Sequence, residues 1–249
     1  MLREKRRPLE SRKNNEGKVL SSISDSRAVS FAERVREAGR LLDSVSLLDR
    51  ENSWPQYSGT AKEARDKAYR EQWEYFESRS LFDFQLTDGS LLQFKDRPEH
   101  HTDLSFCFYE SPLDVDDYST FVTQTYDLTV EDIGDQARED YEAYLSTAQL
   151  KRAVVMLRYD HSPGLYREGC HPVSHLHIGH NNEIRLGTHR VMNPVSFALF
   201  VVRQVYPAHW QRFISASASG DWVKHVRESL PKIERVHLNL RDTWEAYLE

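Results

Sequence analysis

The chain has 249 residues, of which 39% are hydrophobic and 29% charged, with a formal net charge of −6 at pH 7. That length allows one generous domain or two small ones; its longest apolar run, residues 197–202, is far short of the roughly 20 residues of a membrane helix. The negative balance excludes a whole-surface attraction to nucleic acid but leaves room for a local basic groove.

The chain opens on a basic stretch with Arg3, Lys5, Arg6, Arg7, Arg12, Lys13 and Lys18. No apolar core follows it, so it reads as a mobile tail over residues 1–28 and not as a secretory signal. Ser30-Phe31-Ala32-Glu33 is a capping-box pattern, and Val35, Ala38, Leu41, Leu42 and Val45 follow at helical spacing. A helix is expected over residues 31–47, a loop over 53–59 and a second helix over 60–78, with Tyr69, Trp73 and Phe76 on one side. Residues 81–86 and 91–94 alternate around Asp88-Gly89, a hairpin signal. Residues 104–109 read as a further strand. The acidic residues between Glu110 and Glu142 fall on a loop and a helix (135–145) and suggest solvated faces. Strands are expected at 153–159, 175–178 and 183–187. Asn193-Pro194 caps a helix that runs to Tyr206-Pro207, and a last helical stretch covers 222–230. Strands in the middle with helices at both ends imply an α+β fold: an antiparallel sheet of about five strands packed by N-terminal and C-terminal helices. Nothing repeats and no linker stands out, so residues 29–249 are expected to form a single domain. Two cysteines, Cys107 and Cys170, give no disulfide framework and point to the cytoplasm.

Six of the eleven histidines lie between His161 and His189. Residues two apart on a strand share a face, so His175 and His177 would point to one side, with Leu176 and Ile178 turned to the core. Arg158 and Asp160 share a face of the preceding strand. If those two strands pair, an Arg, an Asp and two imidazoles converge. They would then form a catalytic set in which imidazoles move protons, a carboxylate orients one of them and a guanidinium holds a phosphate. His171, Arg185 and Arg190 are the candidate substrate-binding residues. The set itself names no cofactor and could act without one. The alternative is a divalent metal, Zn²⁺ or Mn²⁺, held by Asp160, His171, His175 and His177, with Cys170 as a further thiolate. The spacing matches no finger or H-E-x-x-H pattern, and there is no phosphate-binding glycine loop, dinucleotide fingerprint or nucleophile elbow. The bland reading remains beside each: Asp160 as a turn cap, His171 and His189 as surface residues, Arg185 and Arg190 as ordinary ion-pair partners.

Asp88-Gly89-Ser90-Leu91-Leu92-Gln93-Phe94, Leu157-Arg158-Tyr159-Asp160, His171-Pro172-Val173-Ser174-His175-Leu176-His177 and Pro194-Val195-Ser196-Phe197 together resemble an uncharacterised bacterial family, a domain of unknown function, over roughly residues 30–215. A weaker likeness, touching only Arg158, Asp160, His171, His175 and His177, is to small toxins of bacterial toxin–antitoxin systems. That likeness implies phage defence or growth control through RNA or nucleotides. Two readings follow. One is a nuclease or nucleotide phosphodiesterase. The other is a non-catalytic subunit of a multi-protein defence assembly, with an antitoxin or defence-system subunit as partner and the aromatic helices (Tyr69, Trp73, Phe76; Trp210, Trp222) as its docking surface. Neither reading involves a membrane.

Overall fold

The computed structural model describes residues 30–53, 55–57, 63–64, 66–97, 103–181, 184–216, 219–239 and 247–248. The basic stretch at 1–28 lies outside them. Ser30 caps helix α1 (Phe31–Ser44), its hydroxyl accepting from the Glu33 amide at 3.2 Å. The Glu33 carboxylate does not close the capping box but binds Arg36 and Arg40 instead. The helix stops at Ser44, three residues earlier than expected, because Ser46 takes a left-handed conformation (φ 58°) that turns the chain into strand β1 (Leu48–Glu51). Helix α2 (Tyr69–Ser78) then precedes β2 (Phe84–Leu86), β3 (Leu91–Arg97) and β4 (Asp103–Tyr109). Gly89, at φ 80°, supplies the left-handed position that the β2–β3 turn requires.

An insertion follows: β5 (Leu113–Asp114), α3 (Tyr118–Tyr126), α4 (Val130–Ile133), α5 (Arg138–Ser146) and β6 (Gln149–Leu150). It has its own small core of Tyr118, Val122, Ala137 and Tyr141. Arg138 joins it to β1, bridging Asp49 at 3.0 Å and stacking over Tyr118. The acidic residues here cap and brace: Asp117 accepts from the Thr120 amide, and Glu110 binds Lys151. The main sheet resumes with β7 (Met156–His161), β8 (Ser174–Ile178) and β9 (Leu186–Thr188). Helices α6 (Pro194–Val205), α7 (Pro207–Ser215) and α8 (Ser219–Ser229) come next, and a short β10 (Tyr247–Leu248) joins β9 in parallel.

The fold is α+β, with strand order β1-β2-β3-β4-β7-β8-β9-β10 and every pairing antiparallel but the last. Among the described residues the main sheet has eight strands, against the five or so expected. Strand β1 escapes notice because Leu-Asp-Arg-Glu has no apolar alternation; it is an edge strand whose charges face solvent or neighbouring ions. Helix α7 escapes because Pro207 looks like the end of α6. It is the first residue of a new helix, where proline fits without losing a hydrogen bond.

Alternation divides the sheet into two unlike faces. Phe84, Leu86, Leu92, Phe94, Phe106, Phe108, Leu157, Tyr159 and Leu176 point to the side covered by α1, α6 and α8. Burial of each such side chain contributes roughly 1.5–3 kcal/mol. The rings interlock, Phe106 lying 5.4 Å from Phe94 and 5.8 Å from Phe197. Gly39 permits the close approach of α1, since a Cβ there would lie 2.8 Å from the Phe84 ring. On the opposite face α2 covers only part of the sheet, laying Trp73 and Phe76 over Leu91, Cys107, Tyr109 and Met156. The aromatic helices are therefore no docking surface: Trp73, Phe76 and Trp222 are buried in the fold, and Tyr69 and Trp210 pack against its clusters.

Two buried polar groups tie layers together. The Tyr159 hydroxyl meets Ser174 Oγ at 2.5 Å and accepts from the Met192 amide at 2.9 Å, joining β7, β8 and the approach to α6. Asp83 accepts from the Tyr57 hydroxyl (2.5 Å) and the Phe94 amide (2.6 Å). Burial nonetheless pushes its carboxyl up to about 6.

Tyr159→Phe removes one hydroxyl and strands two partners, the buried Ser174 hydroxyl and the half-buried Met192 amide, so unfolding in urea should show a loss of about 1–3 kcal/mol with helix and sheet content intact by circular dichroism. Folded Asp83 binds its proton more tightly than the unfolded chain does. Its contribution is therefore favourable below about pH 4 and is lost as pH rises through about 6, a swing on the order of 3 kcal/mol. Asp83→Asn keeps the acceptor oxygen; the difference in stability between it and the wild type should change across pH 4–7 and be flat outside that range.

Candidate functional site

The expected strand pairing is present, and its register is what assembles the site. Strand β7 lies between β4 and β8, with Arg158 opposite Cys107 and His177, and Asp160 opposite Ser105 and His175. Strand β3 extends the rows, pairing Gln93 with Cys107 and Lys95 with Ser105. Since side chains alternate, these residues all stand on the face that α2 leaves partly open. All but Gln93 line a cavity of about 390 Å³, together with His161, His171, Asn181 and Arg185.

Asp160 is the hub. Its Oδ1 accepts from the Ser105 hydroxyl at 2.8 Å, and its Oδ2 from Arg158 Nε at 2.8 Å. His177 Nε2 lies 3.5 Å from that same Oδ2. Burial opposes ionisation of Asp160, but the His177 contact, the Arg158 charge and the Ser105 hydroxyl outweigh it and hold the carboxyl well below the usual range. The Arg158 guanidinium spends only Nε on Asp160; its terminal amino groups make no further hydrogen bond among the described residues.

The two imidazoles are buried and meet tip to tip, with His175 Nε2 3.0 Å from His177 Nε2. His175 Nδ1 lies 2.8 Å from the Pro172 carbonyl. A carbonyl only accepts, so Nδ1 carries the hydrogen and Nε2 presents its lone pair. Burial, and after it the neighbouring His177, push the His175 imidazole down to about 4. It is therefore a neutral electron-pair donor at pH 7. Asp160, His175 and His177 offer three ligand atoms within 4.8 Å of one another.

The remaining expected residues divide. His171 packs its ring edge-on against His175, at 4.8 Å, and lines the cavity without joining the trio. Its imidazole is shifted down, first by burial and then by Arg185. Arg185 lines the same cavity. Arg190 does not reach it. Its guanidinium donates to the Glu228 and Leu230 carbonyls at the end of α8, and it lines a separate apolar pocket between α6 and α8. Ile178 is exposed at the strand end, not turned to the core, and Cys170 is exposed and outside the ligand trio. Ser105, Cys107 and Lys95 belong to the site and were not anticipated. Their signal is the polar side of the alternating strands at Gln93-Phe94-Lys95 and Leu104-Ser105-Phe106-Cys107.

The model of a family described as uncharacterized conserved protein (DUF2290) matches residues 42–241. The chain belongs to this family. No curated protein and no solved structure matches it. The expected kinship with a domain of unknown function is thus borne out. The DUF2290 match spans β1 through β9 and every residue that lines the cavity. Among the described residues no helix is long and apolar enough to cross a membrane.

Nitrogen-15 NMR of the imidazoles at pH 7 should find His175 neutral with its hydrogen on Nδ1. A neutral ring with its hydrogen on Nε2 would contradict the hydrogen bond to Pro172, and an imidazolium would contradict the downward shift that burial imposes.

Proposed function

We propose that this cavity binds and hydrolyses a phosphodiester in RNA or a nucleotide. The observation that carries the reading is the placement of three cationic side chains, Lys95, Arg158 and Arg185, around a half-buried carboxylate and two buried imidazoles in one cavity. Guanidinium groups match phosphate oxygens in pairs, and Arg158 retains both terminal amino groups for that purpose. The oxygen of water bonds to phosphorus as the bond from phosphorus to the leaving ribose oxygen breaks. A proton passes from the water to the leaving oxygen by way of the cavity-lining histidines. The fixed positive charges stabilise the extra negative charge on the phosphate in the transition state, without reorganisation. Asp160 orients His177 and Arg158 and is itself held by Ser105. The likeness to small toxins suggests that such an activity would serve growth control or phage defence in the cytoplasm, under the restraint of an antitoxin or a defence-system subunit.

The test is cleavage of RNA oligonucleotides, cyclic dinucleotides and bis(p-nitrophenyl) phosphate by untagged protein, with the divalent ions Mn²⁺ and Zn²⁺ and without them. Arg158→Gln should lower kcat/KM about 100-fold or more while circular dichroism stays unchanged. Expression of the wild type should slow bacterial growth, and expression of the His175→Ala/His177→Ala double variant at equal soluble level should not. Wild-type protein that cleaves none of these substrates, or an Arg158→Gln variant as active as wild type, would overturn the reading.

A further inference from the structure

The pairing of His175 with His177 poses an electrostatic problem. The Pro172 carbonyl commits the His175 hydrogen to Nδ1, so a lone pair on His175 Nε2 points at His177 Nε2, 3.0 Å away. If His177 answers with its own lone pair, two lone pairs and the Asp160 carboxylate face one another inside the protein. The other arrangement has it answer with a hydrogen. In either case His177 Nδ1 is buried with no hydrogen-bond partner among the described residues, as an N–H in the first arrangement and as a lone pair in the second. A cation between the three groups turns the first arrangement from repulsive to attractive.

We infer that His175 Nε2, His177 Nε2 and an Asp160 carboxylate oxygen bind one divalent transition-metal ion, whose remaining coordination positions open into the cavity. The geometry fits. With metal–nitrogen bonds of about 2.0–2.1 Å, nitrogens about 3.0 Å apart subtend roughly 90–97° at the ion, the angle of neighbouring ligands in an octahedron. Six-coordinate Mn²⁺, Co²⁺ or Ni²⁺ accepts the nitrogen pair as it stands, and tetrahedral Zn²⁺ needs the two nitrogens to part by about 0.3 Å; the carboxylate oxygen, which lies within 4.8 Å of both nitrogens, closes on the ion by a side-chain movement. Ligand-orienting hydrogen bonds of the kind that support metal sites are in place for His175 and Asp160, while His177 Nδ1 has none among the described residues. Pro172 O holds the His175 ring, Ser105 Oγ holds Asp160 Oδ1, and Arg158 Nε takes one of the two lone pairs on Oδ2. Two nitrogens and one carboxylate oxygen leave open positions, the mark of a reactive site more than of a structural one. His171, set beside this group and not in it, is a cavity wall and not a ligand.

Ion binding rests on this geometry; the role of the ion, to polarise a phosphate oxygen held by Arg158, rests on the phosphodiester reading. The test uses the untagged full chain, stripped with chelator and titrated with Mn²⁺, Co²⁺ and Zn²⁺ by calorimetry. One ion per chain is expected, bound in the micromolar range or tighter. His175→Ala should abolish binding, Ser105→Ala should weaken it about 10-fold, and the exposed His225→Ala should leave it unchanged. A second readout needs no variant. Co²⁺ added to wild type should shift the NMR signals of His175 and His177 paramagnetically, well beyond those of His209 or His237. Absence of binding, or binding that leaves the His175 and His177 signals in place, overturns the metal site. Phosphodiester cleavage by chelator-stripped protein keeps the reading of the cavity and removes the ion. A bound ion with no cleavage of any substrate does the reverse.

Discussion

The antiparallel register of β4, β7 and β8 is the constraint on which the rest depends. A shift of one residue in either pairing would turn Arg158 and Asp160, or His175 and His177, into the aromatic core. The core therefore enforces the site. Phe106, Tyr159 and Leu176 fill one face, and because they must, Ser105, Asp160 and His175 stand in line on the other. The Tyr159 hydroxyl adds a polar pin to this register, since it reaches Ser174, the residue before His175. The same three strands thus carry core residues on one face and the polar group on the other.

The polar face works through unequal burial. Asp160 stays ionised because its partners outweigh burial, whereas His175 stays neutral because burial and a neighbouring imidazole act in the same direction. A charged carboxylate and a neutral imidazole a few ångströms apart form a ligand pair or a base with its orienter. They do not form the symmetrical acid–base couple that two histidines on one strand face suggest. Two contacts break the symmetry: His175 Nδ1 meets the Pro172 carbonyl, and His177 Nε2 lies beside Asp160 Oδ2.

Much of this was legible in the chain. Alternation at 91–94, 104–109 and 175–178 marks strands and sorts their faces, and Asn193-Pro194 marks the start of α6. Local pattern also puts Arg158 with Asp160, and His175 with His177. What it does not contain is adjacency. That β7 sits between β4 and β8 is a long-range fact, and so Ser105 and Lys95, ordinary polar residues of their own strands, could not be seen as part of the group. Arg190 misleads for the converse reason: it follows the histidines closely in sequence, but the chain has already turned toward α6, and its guanidinium serves the end of α8. The charged strand β1 lacks any apolar period and forms through pairing with β2 alone.

That charged strand has a consequence at the molecular boundary. An outer strand exposes unpaired amides and carbonyls to which another chain could add. On β1 the exposed Arg50 and Glu51 surround that ladder, and Arg50 is already engaged with Glu77 and Gln85. A visiting strand would have to dehydrate these charges and break their ion pairs before making its first hydrogen bond. The sequence that hides β1 from pattern reading is thus the same one that keeps two copies of this sheet from joining edge to edge.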